Sequence, residues 1–398
     1  MIFFVLFNVD INRLILIYRM IFLKIDFRME VSVMSEIKRI GVMTGGGDCP
    51  GLNAVIRAVT KTAIMKYGLE VVGIKHGYRG LFLGEKEFVN LTLDNTDQIL
   101  AEGGTILFSS NKDNLFDYTF EDETGVHHGD YSHVGVENLK KAGIDALVVI
   151  GGDGTLTSGR DFSRLGIKVI GVPKTIDNDL AATDTTFGFD TAVAAATDAM
   201  DRLKTTARSH SRIICVEAMG RYAGFLALAT GIAGAADAIL LPEIEFDLDK
   251  VAETLKKNRD NGKEWALVVV AEGAKEKGGK VIVSKVVEDS PDPIRLGGVA
   301  AYVAEELEKR VGLESRATVL GHVQRGGSPT ANDRILSTRY GSAAVELLME
   351  GKFGNMVILK GNEMCYESLE NVIGNNKSVE PDGELVKVAK AMGVSFGD

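Results

Sequence analysis

Short, continuous apolar runs constrain this chain more than any other feature. They are Arg39–Thr44, Val71–Lys75, Ala146–Ile150, Val169–Val172, Arg212–Ala218, Ala238–Leu241, Trp265–Ala271, Ala317–Leu320 and Met356–Leu359. Strands buried on both faces read this way, without the alternation of a half-exposed sheet. Between them lie periodic segments of helical length, such as Leu52–Lys66, Asp190–Thr205, Val299–Val311 and Asp333–Met349. This alternation predicts an α/β fold with mainly parallel sheets and helices on both faces. Nine strands are many for one sheet. Two Rossmann-like lobes with a cleft between them are therefore expected.

Composition narrows the class. The chain has 398 residues, 45% hydrophobic and 25% charged, enough for a large core. A net charge of −10 argues against non-specific nucleic-acid binding. Cys49, Cys215 and Cys365 have no metal or disulfide spacing, as suits a reducing cytoplasm. Met1–Leu23 is strongly apolar, but Asp10, Arg13 and Arg19 interrupt it, and no small-residue cleavage site is obvious. Residues 1–33 are read as a misread upstream start or a dispensable extension before a soluble start at Met34, with no membrane partner; a signal or anchor is the alternative. The polar tail, 376–398, is expected to be loosely held.

In an open parallel sheet, ligands bind in loops at the carboxyl ends of strands. The first such loop, Thr44–Asn53, is glycine-rich and precedes a helix, a geometry that brings backbone N–H groups close to phosphate. Its spacing is neither Gly-x-Gly-x-x-Gly nor a Walker A loop. Gly151–Thr155 offers a similar cradle plus Asp153, which makes sense beside phosphates if it holds Mg²⁺. The bland alternative is a helix cap. Pro173–Asp179 sets Asp177 and Asp179 two residues apart, and one can serve as general base; an Asx turn is the alternative. Arg212, Arg221, Arg316, His322 and Arg325 fall at strand ends or in loops, and in an acidic chain they mark a second anion site.

These motifs, in this order, resemble the phosphofructokinase A family from about Ile37 to Gly354. They include Gly46–Asn53, Gly103–Thr105, Gly151–Thr155, Pro173–Asp179, Glu217–Arg221 and Leu320–Gly327. The resemblance implies a kinase that phosphorylates fructose 6-phosphate to fructose 1,6-bisphosphate with ATP and Mg²⁺, in glycolysis. It implies a donor lobe, 34–188 with 324–375, and a sugar-phosphate lobe, 189–323. By the same resemblance, Asp177 is the base and Asp153 the metal contact. Gly46, Gly152, Asp153, Gly154 and Thr155 cradle the nucleotide phosphates. Thr175, Ile176, Asp177, Met219, Gly220, Arg221, Glu272, His322, Val323, Gln324 and Arg325 form the sugar-phosphate site. Arg212 and Arg316 match arginines that cross from a neighbouring subunit, implying a homodimer or homotetramer.

Two positions bear on the donor. In the family, an acid at the place of Gly154 accompanies pyrophosphate use, so Gly154 favours ATP. Lys174 is shared with pyrophosphate users and with a mixed-substrate branch that includes ATP-dependent members. One stretch departs from the family. Phe108 replaces a glycine and Asn111 replaces a phosphate-binding arginine, leaving Lys112 as a point cation without the guanidinium fork. Three rival readings follow. A pyrophosphate-dependent phosphotransferase differs only in donor. A lipid or NAD kinase shares Gly151–Thr155 but leaves the His322–Arg325 loop unexplained. A non-catalytic sugar-phosphate-binding subunit draws support from Phe108–Lys112 alone.

Overall fold

The structure is a computed structural model and describes residues 37–286 and 294–398. The reading of residues 1–33 lies outside them. The fold is α/β. One seven-stranded sheet runs in the order Glu363–Ser368, Asn355–Lys360, Lys168–Pro173, Ala146–Gly151, Arg39–Thr44, Glu70–Ile74, Phe88–Leu91. A four-stranded sheet runs Ser315–Val319, Ile213–Ala218, Ala266–Ala271, Ala238–Leu240, all parallel.

All nine expected strands are present, and each makes at least one parallel pairing. Strands not anticipated are paired only antiparallel: Phe88–Leu91, Tyr118–Asp122 with Gly125–Gly129, Val283–Val286 with Ile294–Leu296, and Glu363–Ser368. Where their burial is described, they are largely half-exposed, so they lack the continuous apolar signature.

The cores follow from the apolar runs. Leu147–Ile150 and Leu267–Val270 are wholly buried. Burying a side chain of this size stabilises by about 1.5–3 kcal/mol. Helices Leu52–Tyr67 and Ala331–Met349 pack together beside the first sheet, where Gly341 lets the backbones close: a Cβ there would lie 2.7 Å from the Val55 carbonyl oxygen.

Two buried carboxylates fix helix starts. Asp333 accepts from the Gly188 and Thr191 N–H groups at the head of helix Phe189–Ser209. Glu217 accepts from Gly298 and Ala300 at the head of helix Val299–Val311. Negative charge is favourable at such ends.

The tail is docked rather than loose. It forms a helix, Glu384–Ala391, and sends Val379, Val386, Ala389 and Phe396 into the core of the second sheet. Ser395 then pairs with the strand Ala238–Leu240. Widely spaced apolar residues in a polar segment hide such docking from a sequence reading. Among the described residues, no helix is long and apolar enough to cross a membrane.

Candidate active site

The donor-side loops leave adjacent parallel strands at their carboxyl ends. Gly46 has φ 78°, a conformation that favours glycine. Its N–H donates to the Ser110 carbonyl at 2.9 Å, and the Ser109 hydroxyl donates back to its carbonyl, so the Phe108–Lys112 stretch packs on this loop. Thr155 wedges its side chain between the loops: a Cβ at Gly151 would lie 2.3 Å from the Thr155 Cβ, and one at Gly45 2.7 Å from its Cγ2. Thr155 therefore braces the cradle with its side chain. Gly154 is exposed, and a Cβ there would meet nothing within 4 Å.

Asp153 opens the helix Asp153–Arg164, and its Oδ1 accepts the Gly374 N–H at 3.0 Å. Lys174 is buried, and its ammonium donates to the Gly47 carbonyl from beneath the loop. Burial pulls its pKa down. Asn111 and Lys112 are both exposed beside this loop. Phe108, with φ 57°, stacks on His76, with φ 59°, at 4.8 Å between ring centroids. Cys49 is buried, donates weakly to the Phe187 carbonyl, and has its thiol pushed up to about 12 by burial, which makes it inert.

The loop after Pro173 carries the candidate base. Asp177 is 8% exposed, its N–H bonds the Thr175 hydroxyl, and its Oδ1 is buried without a partner. Asn178 sits at φ 55°, held by the Thr186 N–H on its Oδ1. Asp179 has its carboxyl pushed up to about 7, first by burial and then by the charge of Asp177, with Asp153 adding to it. Ile176 is fully buried in the core of the first sheet.

On the second sheet, Met219, Gly220, Arg221 and Glu272 follow the carboxyl ends of Ile213–Ala218 and Ala266–Ala271. Glu272 accepts the Arg221 N–H at 2.9 Å, and burial, with Asp177 adding to it, raises its pKa. The Met219 N–H donates to Gln324 Oε1. Gln324 itself is fully buried, and its Nε2 has no hydrogen-bond partner among the described residues. His322 and Val323 are exposed in the short turn Gly321–Gln324. Arg325 reaches the donor side, donating to the Asp48 carbonyl at 3.2 Å.

Arg212 and Arg316 do not join this cluster within the chain. Arg212 precedes strand Ile213–Ala218, and Arg316 pairs in register with Ile214, at the amino end of the sheet. Both bond Glu314. Met219 and His322 lie past the carboxyl ends of the same strands, about 20 Å away at the usual rise per residue.

This layout puts a glycine cradle, a helix amino terminus and acids on one side, Arg221, Glu272 and His322 on the other, and Arg325 against the donor loop at Asp48. The phosphofructokinase family model matches residues 39–348. The chain belongs to the phosphofructokinase family. It is 64% identical over 92% of its length to the whole of the ATP-dependent 6-phosphofructokinase 2 of Clostridium perfringens. It is 47% identical over 86% of its length to 97% of the pyrophosphate–fructose 6-phosphate 1-phosphotransferase of Amycolatopsis methanolica. Among solved structures, the phosphofructokinase of Saccharomyces cerevisiae superposes with a TM-score of 0.71 at 31% identity, over 84% of this chain and 45% of that one. As in a phosphofructokinase-family enzyme generally, the chemistry to be explained is phosphoryl transfer.

The structure adds groups that sequence reasoning missed. Gly374, Asn376 and Lys377 meet the acidic loops from the tail side. Their segment has no periodicity and no motif, so it gave no signal.

Proposed function

We propose that this chain transfers the γ-phosphoryl group of ATP to O1 of fructose 6-phosphate, with Asp177 as the base. The observation that carries the reading is the Asp177 carboxylate: buried, with Oδ1 unpartnered, on the loop that leaves the strand Lys168–Pro173. A buried acceptor left unpaired is costly. A substrate hydroxyl donating to it removes that cost at the moment of binding. Asp177 then takes the O1 proton as O1 bonds to the γ-phosphorus. The bond from the γ-phosphorus to its bridging oxygen breaks, and ADP leaves with the electron pair. Positioning and charge neutralisation supply most of the acceleration in such transfers.

Burial first, and then the charges of Asp177 and Asp153, push the Asp179 carboxyl up, so the three acids bring negative charge together. That excess fits a hard divalent cation such as Mg²⁺. Among the described residues, no three His, Cys, Asp or Glu side chains close into a cage for an ion. The fit is to a cation held mainly by waters and donor phosphates, with Asp153 as its protein contact. When bound, Mg²⁺ would offset donor phosphate charge.

The open space at Gly154 supports a nucleotide donor, because nothing there competes with the α-phosphate. Lys174 has its ammonium on Gly47, which explains its presence without pyrophosphate. Pyrophosphate remains the second reading, favoured by the Amycolatopsis relative. The position of Arg212 and Arg316 supports a homo-oligomer in which each chain lends them to a neighbour's 6-phosphate site, beside His322 and Arg325. A coupled fructose 6-phosphate assay with ATP and pyrophosphate in parallel tests the proposal. Turnover with ATP is expected; turnover with pyrophosphate alone replaces the donor, and turnover with neither rejects the activity.

A further inference from the structure

The chain's last passage from the first sheet to the second runs across the face that carries the acids. Gly374 N–H donates to Asp153 Oδ1 at 3.0 Å. Asn376 Nδ2 donates to Asp179 Oδ2 at 3.0 Å, and Lys377 N–H to the Asp179 carbonyl at 2.7 Å. The Lys377 ammonium donates to the carbonyls of Thr183 and Asp184 at 2.9 and 3.0 Å and approaches Asn178 Oδ1 at 3.4 Å. It also lies 5.5 Å from the Phe225 ring centroid, on the helix that follows the Arg221 loop. Two residues on, Val379 N–H donates to Glu243, which also accepts from Gly224 in the second lobe.

Asn178 occupies the left-handed region, which Asn adopts more readily than other non-glycine residues, and its side chain is fixed there by the Thr186 N–H. Thr186 holds Asn178 Oδ1 through its N–H and hydroxyl, and the Lys377 ammonium adds a longer contact at 3.4 Å. Asn178 is the residue after Asp177, so relaxing it rotates the peptide that aims the carboxylate. No donor or sugar contact is assigned to Asn376 or Lys377 themselves.

We propose that Asn376 and Lys377 are positioning residues that lock the Asp177–Asp179 loop in its reactive conformation. The inference rests on the reading of Asp177 as the base. The strap is bonded to the loop at Asp179, Thr183 and Asp184, and its far end is fastened to Glu243. Base geometry is thereby tied to the seating of the tail.

A double-mutant cycle tests this with fructose 6-phosphate and ATP. Lys377→Met is expected to lower kcat by roughly 10²-fold, the usual cost of a misplacement near 1 Å, with both KM values within about threefold. Lys377→Arg, which can still donate to both carbonyls, should recover most of the loss. In an Asp177→Ser background, Lys377→Met should change turnover by less than about twofold, because its target is gone. An undiminished loss in that background, or an unchanged kcat in the single variant, overturns the proposal. Should Lys377→Met fail to fold, Asn376→Ala runs the same cycle with the same criteria. If Asp177→Ser alone leaves turnover intact, the base assignment has failed instead.

Discussion

Lys174 donates its ammonium to the carbonyl oxygen of Gly47, joining the loop that carries the base to the loop that cradles the donor. The two are not neighbours in sequence, and the bond runs beneath the cradle. Lys174→Met removes the donor and leaves the carbonyl unpaired. An unmade buried hydrogen bond costs about 1–3 kcal/mol, so the KM for ATP should rise about tenfold or more, with the fructose 6-phosphate KM little changed. Steady-state kinetics with each substrate varied in turn reads this. A gain in pyrophosphate use instead would make Lys174 a selector of the donor.

Asp177→Ser removes the proton acceptor while keeping a small polar side chain. kcat should fall by roughly 10²–10⁴-fold, with modest change in substrate KM. Normal turnover would mean that another group takes the O1 proton.

Gly154→Asp should spare the fold, since a Cβ at that position meets no neighbour within 4 Å. It sets a carboxylate where a nucleotide's α-phosphate is proposed. Like charges so placed cost several kcal/mol, and kcat/KM for ATP should drop by about 10²-fold or more. Pyrophosphate, with no α-phosphate beyond its two groups, should suffer less. Unchanged ATP kinetics would remove the steric argument for the donor.

Arg212 stands at the opposite end of its sheet from Arg221 and His322. Arg212→Ala and Asp177→Ser should each be nearly inactive as pure assemblies. Subunits of the two, dissociated and reassembled together, should regain activity, because a site with intact Asp177 then borrows an intact Arg212. Failure to regain it in verified hybrids would place Arg212 outside its neighbour's site.

Asp179 gives a pH signature in the ligand-free protein. Its folded pKa, about 7, lies above the ordinary carboxylate value. Between those values the native state keeps a proton that the unfolded chain has lost, so stability falls as pH rises through that window. Asp179→Asn removes this contribution. Thermal unfolding from pH 4 to 7 should show a shallower decline for the variant, and equal slopes would contradict the assignment.

Much of this was legible because the chemistry sits at the ends of strands with a distinctive sequence pattern. Ala146–Ile150 and Val169–Val172 announce themselves as doubly buried strands, and Asp153 and Asp177 follow them directly. The antiparallel hairpin Tyr118–Gly129 did not, since its pattern of half-exposed residues resembles a loop. The burial of Gln324 and Ile176 was not legible from their motifs: the first accepts the Met219 N–H and the second is a core side chain. The docking of Lys377 was illegible because its partners are carbonyls distant in sequence, at Thr183 and Asp184.

Ser395 exchanges backbone hydrogen bonds with the outermost strand of the four-stranded sheet, donating to the Asp237 carbonyl and accepting from Ile239 N–H. An uncovered edge is a template on which other chains can pair. The backbone at Ser395 covers part of that edge. A protein clipped before Ser395 should be recovered with difficulty at high concentration, whatever its catalytic competence.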